Sequence, residues 1–351
     1  MINKKRFVRL GKNIFNFIKR KPSFFYTNVI LTRNCTQNCL QCVIPHQKDE
    51  KMTMRFSDFK LIIDKLENYG TQALVLSGGE PMLHPQIEEC IRYAKSKNIK
   101  KIHLLTTLYG TEQMIAKTIK LIFKYGLSIS CSFDAIDDKA DILRGRKDVA
   151  RQVKQNIAKI NKMNSKLKKP ITTGVNVVIS QLNVYQIPEI INYMETVGWK
   201  TNLDIYRWSS DNHRETDDLK IKDIEKLKKV IEIAKKSPIV FTPDWLLDGY
   251  IDYLQDSFPK QCPYLLSPTF GSKFFIQPDG NIKICEGSVI GNLIHQEVKE
   301  IFNSRRWAKA KSKFLRCKGC WNSCYTLSAH FTNYLNVKDI KKIKNLILKK
   351  R

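Results

Sequence analysis

Cys35-Thr36-Gln37-Asn38-Cys39-Leu40-Gln41-Cys42 sets three thiols in a Cys-x3-Cys-x2-Cys spacing within eight residues. Three thiolates this close in sequence can cap three corners of a four-iron, four-sulfur cluster, and no fourth local cysteine stands by for the last iron. That iron is open to an exogenous ligand. Disulfides suit the stretch poorly, because a bridge inside so short a loop is geometrically awkward and an odd cysteine would remain.

Some forty residues on, the apolar run Ala73-Leu74-Val75-Leu76 ends in Ser77-Gly78-Gly79-Glu80-Pro81. A buried strand that stops at paired glycines presents its last backbone groups at the carboxyl edge of a sheet with no side chain in the way. Alone such a string is a turn; downstream of the cysteine triplet it marks where a small polar ligand docks. With both motifs present the chain resembles the radical S-adenosylmethionine (radical SAM) superfamily, the match lying at Cys35, Cys39, Cys42, Gly78, Gly79 and Glu80. The resemblance implies that the three cysteines hold a [4Fe-4S] cluster whose open iron is chelated by the amino and carboxylate groups of S-adenosylmethionine. It also implies that the Gly-Gly-Glu turn holds the methionine amino group, and that reduction of the cluster releases a 5′-deoxyadenosyl radical that takes a hydrogen atom from substrate. Gln41 stands where members carry an aromatic residue, and Thr107 where relatives often have asparagine. Two thinner matches follow: Ser132, closing Ser128-Ile129-Ser130-Cys131-Ser132, resembles a serine that approaches the cofactor. Arg144, in Asp141-Ile142-Leu143-Arg144-Gly145, resembles an arginine offered to the cofactor carboxylate, a role that a guanidinium fork suits. A solvated arginine is the plainer reading of Arg144.

Around these motifs short apolar strands alternate with amphipathic stretches, the pattern of β-α units on a parallel sheet. Strands are expected at Thr27 to Leu31, Ala73 to Leu76, Lys101 to Thr106, Leu127 to Phe133, Thr173 to Ile179 and Thr201 to Tyr206. Helices are clearest at Phe56 to Asn68 and Gln186 to Val197, where apolar residues recur at three- and four-residue steps. The fold class is therefore α/β, and six strands suit the partial (β/α)6, TIM-like barrel that the resemblance implies. Asp204, Tyr206 and Trp208 are candidates for its lumen.

Of the ten cysteines, Cys90 and Cys131 fall in a helical stretch and a strand, where a thiol behaves as a small apolar side chain. Residues Phe274 to Cys285 read as a β-hairpin turning at Asp279-Gly280. Cys262, Cys285, Cys317 and Cys320 together supply four ligands, enough for a fully capped cluster or a tetrahedral zinc. This region resembles the SPASM or twitch extension of radical enzymes, which implies an auxiliary [4Fe-4S] cluster, with Cys324 spare or an alternative ligand. The expected organisation is a basic amphipathic segment at 1–26, the barrel at 27–240, the cysteine-rich cap at 241–335 and a basic helix at 336–351.

Lys and Arg number 61 against 33 Asp and Glu, a net charge of +28. Such a field draws anionic partners, RNA or acidic lipid among them, but the excess is lysine spread over helix faces, and no aromatic interleaving typical of a single-strand groove accompanies it. Nucleic acid is therefore not favoured. Met1 to Arg20 lacks the uninterrupted apolar core of a secretory leader, no stretch is apolar for some twenty residues, and exposed iron–sulfur chemistry asks for a reducing compartment. A cytoplasmic enzyme is expected, with peripheral contact to an anionic membrane open through the two basic ends. The whole reads as a radical SAM oxidoreductase acting on a small molecule or peptide and fed by an electron donor such as flavodoxin or ferredoxin. The rivals are a radical enzyme of RNA or lipid headgroups, and a non-catalytic zinc or nucleic-acid-binding protein.

Overall fold

The computed structural model describes residues 26–44, 52–97, 99, 101–207, 215–257, 273–284, 288–317, 319–321 and 323. Cys262, Cys285, Cys324, Trp208 and both basic ends lie outside these residues.

Six parallel strands follow one another across the sheet in chain order: β1 (Tyr26–Thr32), β2 (Ala73–Gly78), β3 (Lys101–Thr106), β4 (Ser128–Ser132), β5 (Thr173–Ile179) and β6 (Lys200–Ile205). Between them run α1 (Phe56–Tyr69), α2 (Ile87–Ser96), α3 (Glu112–Tyr125), α4 (Lys139–Arg144), α5 (Val149–Asn164) and α6 (Ile187–Val197). The connections follow from the periods in the sequence. α1 places Phe59, Ile62, Ile63 and Leu66 on one buried stripe, each contributing about 1.5–3 kcal/mol when taken from water. It stops at Gly70, whose backbone takes the left-handed turn. β4 alternates fully buried Ile129 and Cys131 with half-buried Ser128, Ser130 and Ser132, so its apolar side faces the helices and its hydroxyls the inner face. The α/β class and the partial barrel expected from the sequence are thus both found.

The carboxyl-terminal part joins this sheet rather than standing apart from it. β7 (Lys273–Ile276) runs parallel to β1, with Thr27 opposite Phe274 and Val29 opposite Ile276, and β8 (Asn281–Lys283) and β9 (Val289–Asn292) continue antiparallel. The result is one nine-stranded sheet in the order β6-β5-β4-β3-β2-β1-β7-β8-β9. The Asp279-Gly280 turn is where the sequence puts it. Its return strand is held by Asn292, which donates through Nδ2 to the Asp279 carbonyl at 2.8 Å. α7 (Ile224–Lys236) and α8 (Asp244–Leu254) close the barrel side, and α9 (Val298–Phe302) and α10 (Arg305–Leu315) cover β9, Phe302 and Trp307 meeting edge to face at 5.3 Å. Among the described residues no helix is long and apolar enough to cross a membrane.

Candidate functional site

The cysteine loop grows directly out of β1. Ile30 pairs with Ser77 and Thr32 with Gly78, so Leu31 is one residue too many for its partner strand, and such a bulge re-aims the chain that follows. β2 then ends against the loop backbone: Gly79 N donates to Thr32 O at 2.8 Å and Glu80 N to Asn34 O at 2.7 Å. A Cβ on Gly78 would lie 2.4 Å from Thr32 O and one on Gly79 2.3 Å from Asn34 O. The paired glycines are thus what lets two strand ends touch.

Glu80 is fully buried, and its carboxylate accepts from Thr106 Oγ1 at 2.8 Å, Thr107 N at 2.7 Å, Thr107 Oγ1 at 2.8 Å and Met82 N at 3.1 Å. Burial pushes its pKa up, against the pull of these donors. Glu80 therefore ties the end of β2 to the end of β3 through Thr106 and Thr107. Thr107→Val, which removes the hydroxyl and keeps the N–H, is expected to cost about 1–2 kcal/mol in urea unfolding; Glu80→Gln, which turns an amide toward these donors, should cost more.

The opposite side of the loop rests on α4. Asn38 N donates to Arg144 O at 2.9 Å and Leu40 N to Leu143 O at 3.0 Å. Gly145, at φ +60°, comes so close that a Cβ would sit 2.3 Å from Asn38 O. Arg144 is not a solvated arginine. Its buried guanidinium pairs with Asp134 and donates through an Nη to Cys39 Sγ at 3.7 Å. Burial works against its charge, yet Asp134 and Cys39 hold its pKa above the ordinary arginine value. Asp134 also accepts from Gln41 Nε2 at 3.3 Å and Val178 N at 2.8 Å. Gln41 is thereby fixed within the loop, its Oε1 buried and without a hydrogen-bond partner among the described residues.

Cys39 is buried and Cys35 and Cys42 half-buried, none in a disulfide. Burial pushes Cys35 up to about 12 and Cys42 up to about 11. Thiols so placed stay protonated by themselves, and only a bound cationic centre holds them as thiolates. Among the described residues no three His, Cys, Asp or Glu side chains converge on a single ion. A cluster asks for no such convergence, since each thiolate takes its own iron. The donor set, buried and joined to a backbone-lined turn, therefore fits a cluster of which the protein caps three irons.

Ser132 ends β4 on the inner face, opposite Asn176 of β5, which in turn lies opposite Asn202 of β6; its hydroxyl has no hydrogen bond among the described residues. Asn202 Nδ2 donates to Asn176 Oδ1 at 3.2 Å and to Ser323 Oγ at 3.4 Å, and Ser323 donates to Asp204 through Oγ at 2.7 Å and N at 3.1 Å. Asp204 is thus engaged by the carboxyl-terminal segment. Tyr206 is buried, its hydroxyl accepting from Thr216 N at 3.1 Å. Cys317 and Cys320, both half-buried, flank a tight turn in which Gly319 N donates to Cys317 Sγ at 3.4 Å. The turn is anchored by Trp321, whose Nε1 donates to Leu246 O at 2.9 Å and whose ring lies on Gly249 of α8. A Cβ at Gly249 would meet that ring at 2.2 Å. Gly249→Ala is accordingly expected to lift the turn, lowering the iron of reconstituted protein while spectroscopic signals of the Cys35–Cys42 site persist. Asp134, Asn202, Ser323 and Trp321 escape a reading of the sequence; only Asp134, directly after the serine-rich strand, had a local signal.

Comparison with known proteins completes the picture. Residues 29–194 match the Radical SAM superfamily and residues 269–325 the SPASM iron-sulfur cluster-binding domain. The chain is 24% identical over 293 residues to the antilisterial bacteriocin subtilosin biosynthesis protein AlbA of Bacillus subtilis, covering 81% of this chain and 60% of AlbA. It is 27% identical over 190 residues to the Fe-coproporphyrin III synthase of Methanosarcina barkeri, 53% and 44% of the two chains. In each case the match spans less than two thirds of the relative's length. Crystal structures of Streptococcus suis SuiB share the fold at 14% identity: bound to S-adenosylmethionine, TM-score 0.64 over 88% of this chain and 74% of that one, and bound to the precursor peptide SuiA, 0.61 over 91% and 74%. With a parallel sheet ending in this cysteine loop, and with both domains matched, the chain belongs to the radical SAM superfamily, in its SPASM-containing branch, whose cofactors are S-adenosylmethionine and [4Fe-4S] clusters.

Proposed function

We propose that the protein oxidises a peptide by abstracting a hydrogen atom from it, with Cys35, Cys39 and Cys42 holding the reducible cluster and Gly78 to Glu80, Ser132 and the nearby strand ends orienting S-adenosylmethionine. The observation that carries this reading is the packing of the Gly78–Gly79 turn on the backbone of the cysteine loop at the carboxyl edge of the parallel strands. When bound, the cluster and S-adenosylmethionine supply one-electron cleavage of a carbon–sulfur bond, the source of the hydrogen abstractor. The chain's own residues do the rest. Backbone bonds from β2 and α4 hold the loop, Glu80 locks two strand ends together, and Ser132 and Asn176 offer uncharged polar groups along the inner face, with Asn202 holding Asn176 in place. Hydroxyls and amides of this kind suit the amide groups of a peptide; AlbA is named for the biosynthesis of a bacteriocin, and SuiB is seen bound to a precursor peptide.

Cys262, Cys285, Cys317 and Cys320, with Cys324 as alternative, are proposed to hold the auxiliary cluster. The Ser323 bonds to Asp204 and Asn202 bring the described end of this segment to the inner face at β6; a cluster held by these cysteines would supply an acceptor for the electron of the substrate radical. A reduced one-electron carrier, flavodoxin or ferredoxin, is the proposed source of the first electron. Anaerobic reconstitution followed by dithionite and S-adenosylmethionine is expected to yield 5′-deoxyadenosine; zinc in place of iron, or no cleavage, would favour the non-catalytic rival. A screen of candidate substrates for deuterium transfer into 5′-deoxyadenosine then separates peptides from RNA or lipid headgroups.

A further inference from the structure

Arg144 departs most from what the sequence suggests. A buried guanidinium beside a cysteine of the triplet is held by two contacts, the Asp134 carboxylate and the Cys39 sulfur at 3.7 Å, while the main-chain carbonyl of the same residue accepts from Asn38 N at 2.9 Å. One Nη of its fork meets Asp134 and the other Cys39. Asp134 in turn is fixed by Gln41 Nε2 and Val178 N, so the pair is a rigid part of the loop's support.

We propose that Arg144 is a positioning residue for the cysteine loop that donates a hydrogen bond to Cys39 and thereby raises the reduction potential of the cluster held there, while Asp134 moderates that effect. The proposal rests on the radical SAM reading of the site. Its physics is simple. Adding one electron makes a thiolate-ligated cluster more negative; a cation bonded to one of its sulfurs stabilises the reduced form more than the oxidised one, and burial keeps water from screening it. Asp134, bonded to the same guanidinium, offsets part of that charge. The two residues therefore push the potential in opposite directions, which a purely structural support would not do.

The test is a redox titration of the reconstituted full-length enzyme, followed by electron paramagnetic resonance of the reduced cluster, for native protein, Arg144→Gln and Asp134→Asn. Iron content and S-adenosylmethionine affinity by equilibrium dialysis are measured on the same samples. Arg144→Gln is expected to disfavour the reduced form about tenfold, a fall of about 59 mV for a one-electron couple, and Asp134→Asn to shift the potential upward. If Arg144→Gln does not fold or retain iron, Asp134→Asn decides alone: a rise supports the proposal, no change or a fall overturns it. Unchanged potentials, shifts of the same sign, or a native potential with weakened cofactor binding in Arg144→Gln overturn it too, the last restoring the carboxylate-ligand role. Native protein that binds no iron would sink the underlying reading instead.

Discussion

Alanine at any one of Cys35, Cys39 or Cys42 is expected to abolish reductive cleavage of S-adenosylmethionine and to remove about four iron per chain from anaerobically reconstituted protein. All three lie in one loop whose two sides are pinned by β2 and by α4, so the loop has no slack with which another residue could replace a missing thiolate. Cys39 is the most buried of the three and is the one bonded to Arg144; its loss leaves a buried cation facing a cavity, and Cys39→Ala should also lower thermal stability most. The informative controls are Cys90→Ala and Cys131→Ala. Both thiols are fully buried in the apolar core, and burial pushes each up to about 12. They are small apolar packing groups; their removal should cost about 1 kcal/mol and leave iron and cleavage intact. Iron assay, visible absorption and 5′-deoxyadenosine yield read all five variants. Iron in Cys39→Ala equal to that of the native protein would remove the basis of the assignment.

Much of this was legible because the chemistry is local in sequence. The thiol spacing, the glycine pair and the Asp279-Gly280 turn each lie within a dozen residues, and the apolar stripes of α1 and the alternation in β4 report which side of each element is buried. What the sequence does not carry is pairing between distant segments. Nothing in Lys273–Ile276 says that it lies parallel to β1; a hairpin signal fixes its own two strands and is silent about a third. Arg144 is the instructive case. The sequence ranks it as a cofactor arginine or a solvated one, because its partner Asp134 sits ten residues earlier across a helix start, and its other partner Cys39 over a hundred residues away. Glu80 reads as a ligand residue, and the fold adds what the motif does not show, four protein donors on its carboxylate. Polar residues in a motif advertise chemistry; which of their atoms are already taken depends on contacts that only the folded chain makes.

Gly79→Ala tests whether the contact between the two motifs matters as much as the motifs themselves. The added Cβ would lie 2.3 Å from Asn34 O, 2.7 Å from Asn34 C and 2.8 Å from Arg33 O. All three are backbone atoms, so no side-chain rotation relieves the clash, and either the cysteine loop or the end of β2 has to move. Overpacking of this kind costs about 1–3 kcal/mol. The movement also breaks the bonds from Gly79 N to Thr32 O and Glu80 N to Asn34 O, worth about 1 kcal/mol each, so a loss on the order of 3–5 kcal/mol is expected in urea unfolding. Gly126→Ala is the matched control. Its Cβ meets nothing within 4 Å, but its φ of +58° charges a left-handed strain of about 1–2 kcal/mol. The two variants should therefore separate in kind as well as in degree: Gly126→Ala is less stable but binds iron and S-adenosylmethionine as the native protein does. Gly79→Ala, reconstituted at a temperature where it is folded, should hold less iron at the triplet and bind S-adenosylmethionine at least tenfold more weakly, because the same displacement spoils the loop and the turn together. Equal cofactor affinity in both variants would mean that the turn and the loop act independently, and that their contact serves folding alone.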